Sequence, residues 1–161
     1  MSINENPASV FTMPIQIGMV VKDLDKTLEN LQKIFGIGPF RVVDFPPSGN
    51  ENVKRMYKGE DSDFTAKFCF FSLGNIELEI IQPISGRSIW QDHIDKKGPG
   101  LHHIKFSVPE HEPLRKHLES NGIGISQMGA SVGKNAGKEW VFYDTEDKIG
   151  FAVELMNEII K

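Results

Sequence analysis

The sequence has one cysteine, no excess of basic residues and no long apolar run. Because Cys69 is the only cysteine, no internal disulfide can form and nothing requires an oxidising compartment. The net charge of −4 argues against a nucleic-acid-binding domain, which normally carries a basic excess. No apolar run reaches the roughly 18 residues that a membrane-spanning helix needs, and residues 1–12 lack the basic start and apolar stretch of a secretory leader. We therefore expect a cytoplasmic protein with neither nucleic acid nor membrane as a partner.

The composition is that of a folded globular protein. With 39% hydrophobic and 25% charged residues, the chain is neither disordered nor fibrous. A length of 161 residues fits one compact domain or two small units that share a core. Self-similarity favours two units, because residues 15–21 can be laid on residues 102–108 with their alternating apolar positions in register. Both segments alternate as half-buried strands do.

Each of these strands is followed by the same series of predicted elements. An amphipathic helix comes first, with Leu24 and Leu28 on one face in the first half and Leu114 and Leu118 in the second. A Gly-Ile-Gly sequence ends each helix, and three further strands follow. The sequence therefore predicts an α+β fold of two tandem βαβββ modules. Its parts are an N-terminal arm (1–13), a first module (14–83), a linker (84–100) and a second module (101–158).

Two stretches fall outside this repeated pattern. Residues 46–63 are polar and rich in turn-forming residues, which predicts a long loop of the kind that covers a site. The linker is predicted to carry one short helix after Ser88, with Ile89, Trp90 and Ile94 on it.

Strand alternation places four polar residues on one face of the sheet. In the first strand Ile17 and Met19 take the helix side, which leaves Gln16 on the other face. The same reasoning puts Glu79, His103 and Glu154 on that second face. If the two halves pair into one curved sheet, the four side chains converge, because they occupy equivalent places in the two modules.

Two carboxylates, an imidazole and an amide oxygen are a reasonable ligand set for one divalent metal ion. A metal also offsets the cost of burying a carboxylate without a partner. Taken singly, each residue has a structural explanation as well, since a glutamate on a sheet is usually solvated and a histidine is usually neutral and hydrogen-bonded. His102 lies next to His103 on the strand, and adjacent residues point to opposite faces. We therefore expect His102 on the helix side or against the linker.

Five short segments carry recognisable motifs: 16–24 (QIGMVVKDL), 79–83 (EIIQP), 98–104 (GPGLHHI), 142–144 (FYD) and 153–155 (VEL). Together they resemble the vicinal oxygen chelate superfamily, which contains glyoxalases, bleomycin resistance proteins and dioxygenases. The second and third segments are most similar to the methylmalonyl-CoA epimerase-like branch. The resemblance extends over about residues 14–157 and implies a cup-shaped mixed β-sheet with the helices outside.

The resemblance also implies a chemistry. It predicts a single divalent ion (Zn, Co, Ni or Mn), an enolate-like intermediate whose two oxygens bind that ion, a small-molecule substrate such as an acyl-CoA or another thioester, and a homodimer. Carried over by position, the metal ligands are Gln16, Glu79, His103 and Glu154, and the two glutamates could also transfer the proton. Epimerases of this branch typically have His and Gln at the first two positions. The Gln and Glu found here are closer to the ligand set of zinc-type glyoxalase I.

An epimerase also needs a second base, and here the sequence departs from the pattern. The resemblance places a carboxylate near residues 53–56, where this chain has Lys54 and Arg55. Glu51 and Glu77 are alternatives. Chemistry of the glyoxalase type needs no such group, because the metal-bound glutamates shuttle the proton.

The leading interpretation is a metal-dependent lyase or isomerase that removes a proton next to a carbonyl. The alternative is a non-catalytic binding or resistance protein of the same fold, which typically lacks the metal ligands. An oxygenase is less favoured, because extradiol oxygenases hold iron with two histidines and one carboxylate. His103 is the only histidine among the four candidate ligands.

Overall fold

The computed structural model describes Phe11 and residues 13–158, so most of the predicted N-terminal arm (1–13) lies outside the described residues. The first half contains β1 (Pro14–Val20), α1 (Leu24–Phe35), β2 (Val42–Phe45), β3 (Arg55–Tyr57), β4 (Glu60–Asp61), β5 (Thr65–Leu73) and β6 (Ile76–Ser85). The linker forms α2 (Ile89–Lys97). The second half contains β7 (Gly100–Phe106), α3 (His111–Ser120), β8 (Ile125–Ala130), a short 3-10 helix (Gly133–Asn135), β9 (Lys138–Tyr143), α4 (Glu146–Ile149) and β10 (Ala152–Glu158).

All the strands belong to one mixed sheet in the order β2-β5-β6-β1-β7-β10-β9-β8-β3-β4. The first strand of each half lies in the middle, where β1 and β7 pair antiparallel. Each of them also pairs in parallel with the last strand of its own half, β1 with β6 and β7 with β10. This repeat, curled into a half-barrel, confirms the predicted α+β fold of two tandem βαβββ modules. The module boundaries stay a prediction.

The two long helices cover the outer face of the sheet. Asp23 caps α1 by accepting a hydrogen bond from the Lys26 backbone N–H, and Gly36 ends the helix in the left-handed conformation. The buried leucines of α1 pack with Ile80, and those of α3 pack with Leu155. Because alternate residues of a strand face opposite ways, this packing turns the neighbouring glutamates of β6 and β10 toward the inner face. No helix among the described residues is long and apolar enough to cross a bilayer.

The linker helix closes one end of the sheet. Ser88 caps α2 by accepting a hydrogen bond from the Gln91 backbone N–H, as the sequence predicts. Trp90 is 2% exposed and joins a core of aromatic residues that includes Phe64 and Phe142. The inner face of the sheet is therefore lined partly by aromatic rings.

The prediction of a long loop over residues 46–63 is wrong in its second half. There the chain forms β3 and β4, and β3 pairs with β8 at the far edge of the other module. Tyr57 of β3 is buried, and its hydroxyl donates to Asp92 of α2 at 2.8 Å. The first half therefore contributes a hairpin to the sheet of the second half.

Candidate metal centre and cup

The four residues predicted as metal ligands lie together on the inner face of the sheet. Nε2 of His103 lies 2.9 Å from Glu79 Oε2, 3.2 Å from Glu154 Oε2 and 3.4 Å from Gln16 Oε1. All four side chains are buried, the most exposed being Glu79 at 8%. They come from β1, β6, β7 and β10, the central strands of the sheet. The structure thus brings every predicted ligand to one point.

Gly18 makes room for this cluster. On β1 it pairs with Glu79 of β6 on one side and with His103 of β7 on the other. A Cβ atom on Gly18 would lie only 1.8 Å from Cε1 of His103. The imidazole therefore occupies the space that any other residue's side chain would take.

Gly18→Ala is expected to displace the His103 ring and to destabilise the protein by roughly 1 to 3 kcal/mol, because the added methyl group overpacks a closed site. Divalent-metal binding should weaken in the same variant, since Nε2 of His103 moves. Gly124→Ala is the matched control, because nothing lies within 4 Å of the Cβ position there. Urea unfolding and a zinc titration of both variants measure the two effects. If the two variants had equal free energies of unfolding and equal zinc affinities, the close contact between residue 18 and the His103 ring would not matter.

The protonation of the cluster follows from burial and from its charges. Burial opposes protonation of His103, but hydrogen bonds and charges from Glu154 and Glu79 outweigh it and raise the pKa to about 9. Burial raises the pKa of Glu79. Burial acts in the same direction on Glu154, but Lys105 and His103 outweigh it and lower the pKa of that carboxyl. Lys105 Nζ lies 3.5 Å from Glu154 Oε1.

The stability of the metal-free protein should therefore fall as the pH rises. The folded-state pKa of His103, about 9, exceeds the value of roughly 6.5 for an unfolded histidine. Protonated His103 thus contributes up to about 3 kcal/mol to the free energy of unfolding below pH ~6.5, and this contribution is lost as the pH rises through ~9. Urea unfolding of the protein in the presence of a chelator, at pH 6 and at pH 9.5, measures the loss. His103→Gln should lack this pH dependence, and an unchanged profile in that variant would refute the assignment to His103.

A second layer of polar contacts surrounds the four residues. Gln16 donates a hydrogen bond from Nε2 to Glu77 Oε1 at 2.7 Å, which turns the amide oxygen of Gln16 toward His103. Oε2 of Glu154 is buried and contacts Nε2 of His103 at 3.2 Å. A buried carboxylate needs a charged partner, and a metal cation is a common one.

The donor set fits a divalent metal ion. One donor atom each from Glu79, His103 and Glu154 lies within 4.8 Å of the other two. With the amide oxygen of Gln16 the set mixes carboxylate, imidazole and amide donors, which suits Zn, Co, Ni or Mn better than a soft metal. The approach of a carboxylate oxygen from each of Glu79 and Glu154 to Nε2 of His103 meets the same requirement from the geometry.

A cavity of about 630 Å³ opens above this centre. Its walls are largely aromatic, formed by Phe45, Phe68, Phe70, Trp90, Trp140 and Phe142. The exposed side chains of Arg41 and Lys134 add positive charge to the lining. Strand period alone does not place these aromatic residues in one cavity, although Trp90 and Phe142 stand in segments that the sequence already marks. We call this cavity the cup.

The predicted location of a second base is not supported by the structure. Lys54 pairs with Glu139 at 3.1 Å, and Arg55 donates to the backbone carbonyl of Phe64, so neither side chain belongs to the cup lining. Glu51 accepts from the backbone N–H of Gly49 and also lies outside the lining. The carboxyl groups that do line the cup, besides the two candidate ligands, are Glu77 and Asp44. Asp44 was missed because nothing in its local sequence marks it.

His102 lies against the linker helix, but it does not point away from His103. The pairing of β1 with β7 shifts register here, so that Gly18 pairs with His103 and Met19 with Leu101. His102 is the extra residue of a bulge, which breaks the alternation on which the opposite-face prediction depended. Its Nδ1 lies 3.0 Å from Nδ1 of His103, and its ring packs edge-on against His93 of α2. Burial lowers the pKa of His102 far below its usual value.

Comparison with known proteins agrees with this geometry. Residues 15–143 match the model of the glyoxalase/bleomycin resistance protein/dioxygenase superfamily. The chain belongs to this superfamily. Among curated proteins, the uncharacterised protein YqjC of Bacillus subtilis is 31% identical over 87 residues, which are 54% of this chain. The chain spans only 61% of the length of YqjC.

Several other similar proteins are methylmalonyl-CoA epimerases. The mitochondrial methylmalonyl-CoA epimerase of Mus musculus is 24% identical over 140 residues, covering 86% of this chain and 69% of the mouse protein. The crystal structure of methylmalonyl-CoA epimerase from Mycobacterium tuberculosis matches with a TM-score of 0.59 at 18% identity, covering 94% of this chain and 91% of the other. A methylmalonyl-CoA epimerase in complex with methylmalonyl-CoA and NH4+ matches with a TM-score of 0.59 at 19% identity, covering 92% and 96%. At such identities the structural likeness concerns the fold.

Proposed function

We propose that this superfamily member is a divalent-metal-dependent lyase or isomerase that removes a proton from the carbon next to a carbonyl. The observation that carries the proposal is the convergence of Gln16, Glu79 and Glu154 on Nε2 of His103 at the floor of the cup. Similar folds belong to proteins that bind acyl-CoA compounds, which supports a thioester as the substrate. A homodimer and a cytoplasmic location remain predictions.

The metal would be held by Gln16, Glu79, His103 and Glu154. When bound, it would polarise the substrate carbonyl and so acidify the neighbouring C–H bond. The carboxylate of Glu79 is the stronger base of the two, because burial raises its pKa. Glu79 accepts the proton at a carboxylate oxygen and returns it to the carbon of the product. Glu154 stays ionised beside Lys105, whose charge favours the carboxylate.

The cup determines which substrates fit. Its aromatic walls bind an apolar or planar acyl group and exclude water from the reacting carbon. The positive charges of Arg41 and Lys134 favour a substrate with an anionic tail. Both features fit a thioester whose acyl group enters the cup and whose polar part stays outside.

Purified protein is expected to hold close to one divalent transition-metal ion per chain in the cup, and His103→Ala should remove that ion. The physical reason is that His103 Nε2 is the donor nearest to all the others. Elemental analysis gives the metal content, and uptake of solvent deuterium by a panel of acyl-CoA thioesters tests the proton transfer. His117→Ala, on the outer helix α3, is the control. Equal metal content in both variants, or none in the wild type, would contradict the proposal.

A binding or resistance protein of the same fold is the second candidate, and two observations favour it. The aromatic walls of the cup suit the capture of a planar molecule. Lys105 can also neutralise part of the charge of Glu154 in the absence of a metal. This candidate predicts ligand binding that a chelator does not change, together with no deuterium uptake by any thioester. An oxygenase stays disfavoured, because His103 is the only histidine among the four converging residues.

A further inference from the structure

A second group of metal-binding residue types lies outside the cup, between α2, β7 and α4. One ring nitrogen of His93, one ring nitrogen of His102 and one carboxylate oxygen of Glu146 all lie within 4.8 Å of one another. His93 is 6% exposed, His102 is fully buried, and the Glu146 side chain is 21% exposed. The residues come from three different elements, so their meeting is a property of the fold rather than of local sequence.

His102 has a nitrogen that nothing else in the structure uses. Nδ1 of His102 faces Nδ1 of His103, which leaves Nε2 for another partner. That Nε2 atom is buried and has no hydrogen-bond partner among the described residues. Buried polar atoms are nearly always satisfied, by protein, water or a bound ion. An unpartnered nitrogen beside a second histidine and a carboxylate therefore indicates a missing ligand.

There is space for such a ligand beside His93 and Glu146. A cavity of about 60 Å³ is lined by His93, Glu146, Lys97 and Ala152, among others. This volume is enough for an ion and a water molecule, since a water occupies about 30 Å³ in the liquid. Glu146 Oε1 contacts Nδ1 of His93 at 2.5 Å and Nζ of Lys97 at 3.0 Å. These two nitrogens compensate the charge of Glu146 in the absence of an ion.

We propose that His93, His102 and Glu146 bind a second divalent metal ion, with zinc as the favoured metal. Two imidazoles and one carboxylate with a fourth position left for water are a typical zinc set. The cup differs, since its ligands are mostly oxygen atoms and it therefore accepts a wider range of metals. The second ion would lie on the linker side of His102, outside the substrate cavity.

Lys97 is the group that competes with this ion. Its ammonium bonds to the carboxylate that the metal would use. The Lys97 side chain is 44% exposed, so it can move into solvent when the ion binds. Removing its charge should therefore strengthen the site, because the ammonium competes with a divalent cation for the Glu146 carboxylate.

The two sites are coupled through the contact between Nδ1 of His102 and Nδ1 of His103, which lie 3.0 Å apart. Only one proton fits between these two atoms. An ion on Nε2 of His102 must therefore displace the proton that this Nε2 carries when Nδ1 accepts from His103, and that proton leaves to solvent. The second ion is also repelled by the charge of the cup ion. It should therefore bind more weakly when the cup is full than when the cup is disabled.

The experiment uses full-length protein without a histidine tag, stripped of metal and equilibrated with Zn²⁺ or Co²⁺. Wild-type protein is expected to bind a second ion, and Glu146→Gln and His93→Gln should each lose it while keeping the cup ion. Co²⁺ reports the geometry, because a four-coordinate nitrogen-rich site absorbs far more strongly in the visible than a six-coordinate one. The Glu79→Ala/Glu154→Ala double variant disables the cup and should retain the intense Co²⁺ spectrum, with tighter binding than the second ion shows in the wild type.

Lys97→Gln keeps the proposal testable if the ligand variants fail to fold. This variant retains all three donors and should bind the second ion about threefold more tightly, the amount expected for removing a half-exposed ion pair. A single ion in wild-type protein at saturating zinc, lost in the Glu79→Ala/Glu154→Ala variant, would overturn the proposal. So would a second ion whose affinity is unchanged in Glu146→Gln, His93→Gln and Lys97→Gln. Failure of the proposed function has a different signature: the Glu79→Ala/Glu154→Ala variant then binds as many ions as the wild type, because the cup holds none.

Discussion

Glu79→Gln should lower turnover of a thioester substrate by roughly 10² to 10⁴ while leaving the metal in place, because the loss is that of a general base. An amide oxygen can still ligate the ion, but an amide cannot accept the proton. Glu154→Gln should show a smaller loss, since Glu154 is paired with Lys105 and its pKa is lowered, whereas burial raises the pKa of Glu79. Metal content and initial rates of deuterium uptake from solvent measure the two effects separately.

The control for this pair is Glu119→Gln on α3, an exposed glutamate paired with Arg115. It should retain both the metal and the full rate. Full activity in Glu79→Gln and Glu154→Gln, with metal still bound, would refute the assignment of the base to the metal ligands. Loss of metal in either variant would instead show that the negative charge of the carboxylate is needed to hold the ion.

The polar residues at the centre of the cup could be predicted because the face that each of them takes depends only on the alternation within its own strand. Alternation along β1, β6, β7 and β10 specifies the face of each residue, and the repeat places Glu79 and Glu154 at equivalent points. Once β1 and β7 pair in the middle of the sheet, these strands can only bring their inner-face polar residues together. Strand period and self-similarity therefore indicated the fold class and the four converging residues, and the resemblance to the superfamily assigned those residues as metal ligands.

The features that were missed depend on pairings between distant segments. The bulge at His102 becomes visible only when β7 is paired with β1, because the extra residue has no signature of its own. β3 lies in a polar stretch and is held by β8, some seventy positions away. His93 and Glu146, separated by 53 positions, meet because α2 packs against β7 and α4 against the neighbouring strand β10. Such contacts are set by tertiary packing, which short-range patterns do not encode.

The absence of Lys54 and Arg55 from the cup leaves Asp44 and Glu77 as the carboxyl groups that could act as a second base. Their surroundings suggest different roles. Glu77 accepts a hydrogen bond from Gln16, so it orients a candidate metal ligand. Asp44 is on β2, at the edge of the sheet and two strands away from Glu79. An epimerase needs its bases on opposite sides of the reacting carbon. Because Glu77 is bonded to Gln16, Asp44 is the candidate for the second base.

Asp44→Asn is therefore expected to reduce inversion of a chiral α-carbon by about 10² or more, the usual contribution of a general acid or base, while deuterium exchange through Glu79 continues. Glu77→Gln should lower exchange and inversion together, because it disturbs the orientation of Gln16 and with it the metal. Lys54→Ala, which changes a side chain outside the cup, is the control and should leave both rates intact. The measurement is the ratio of exchange to inversion in deuterated water. If Asp44→Asn leaves that ratio unchanged, one base serves both steps, and the chemistry is that of a glyoxalase rather than an epimerase.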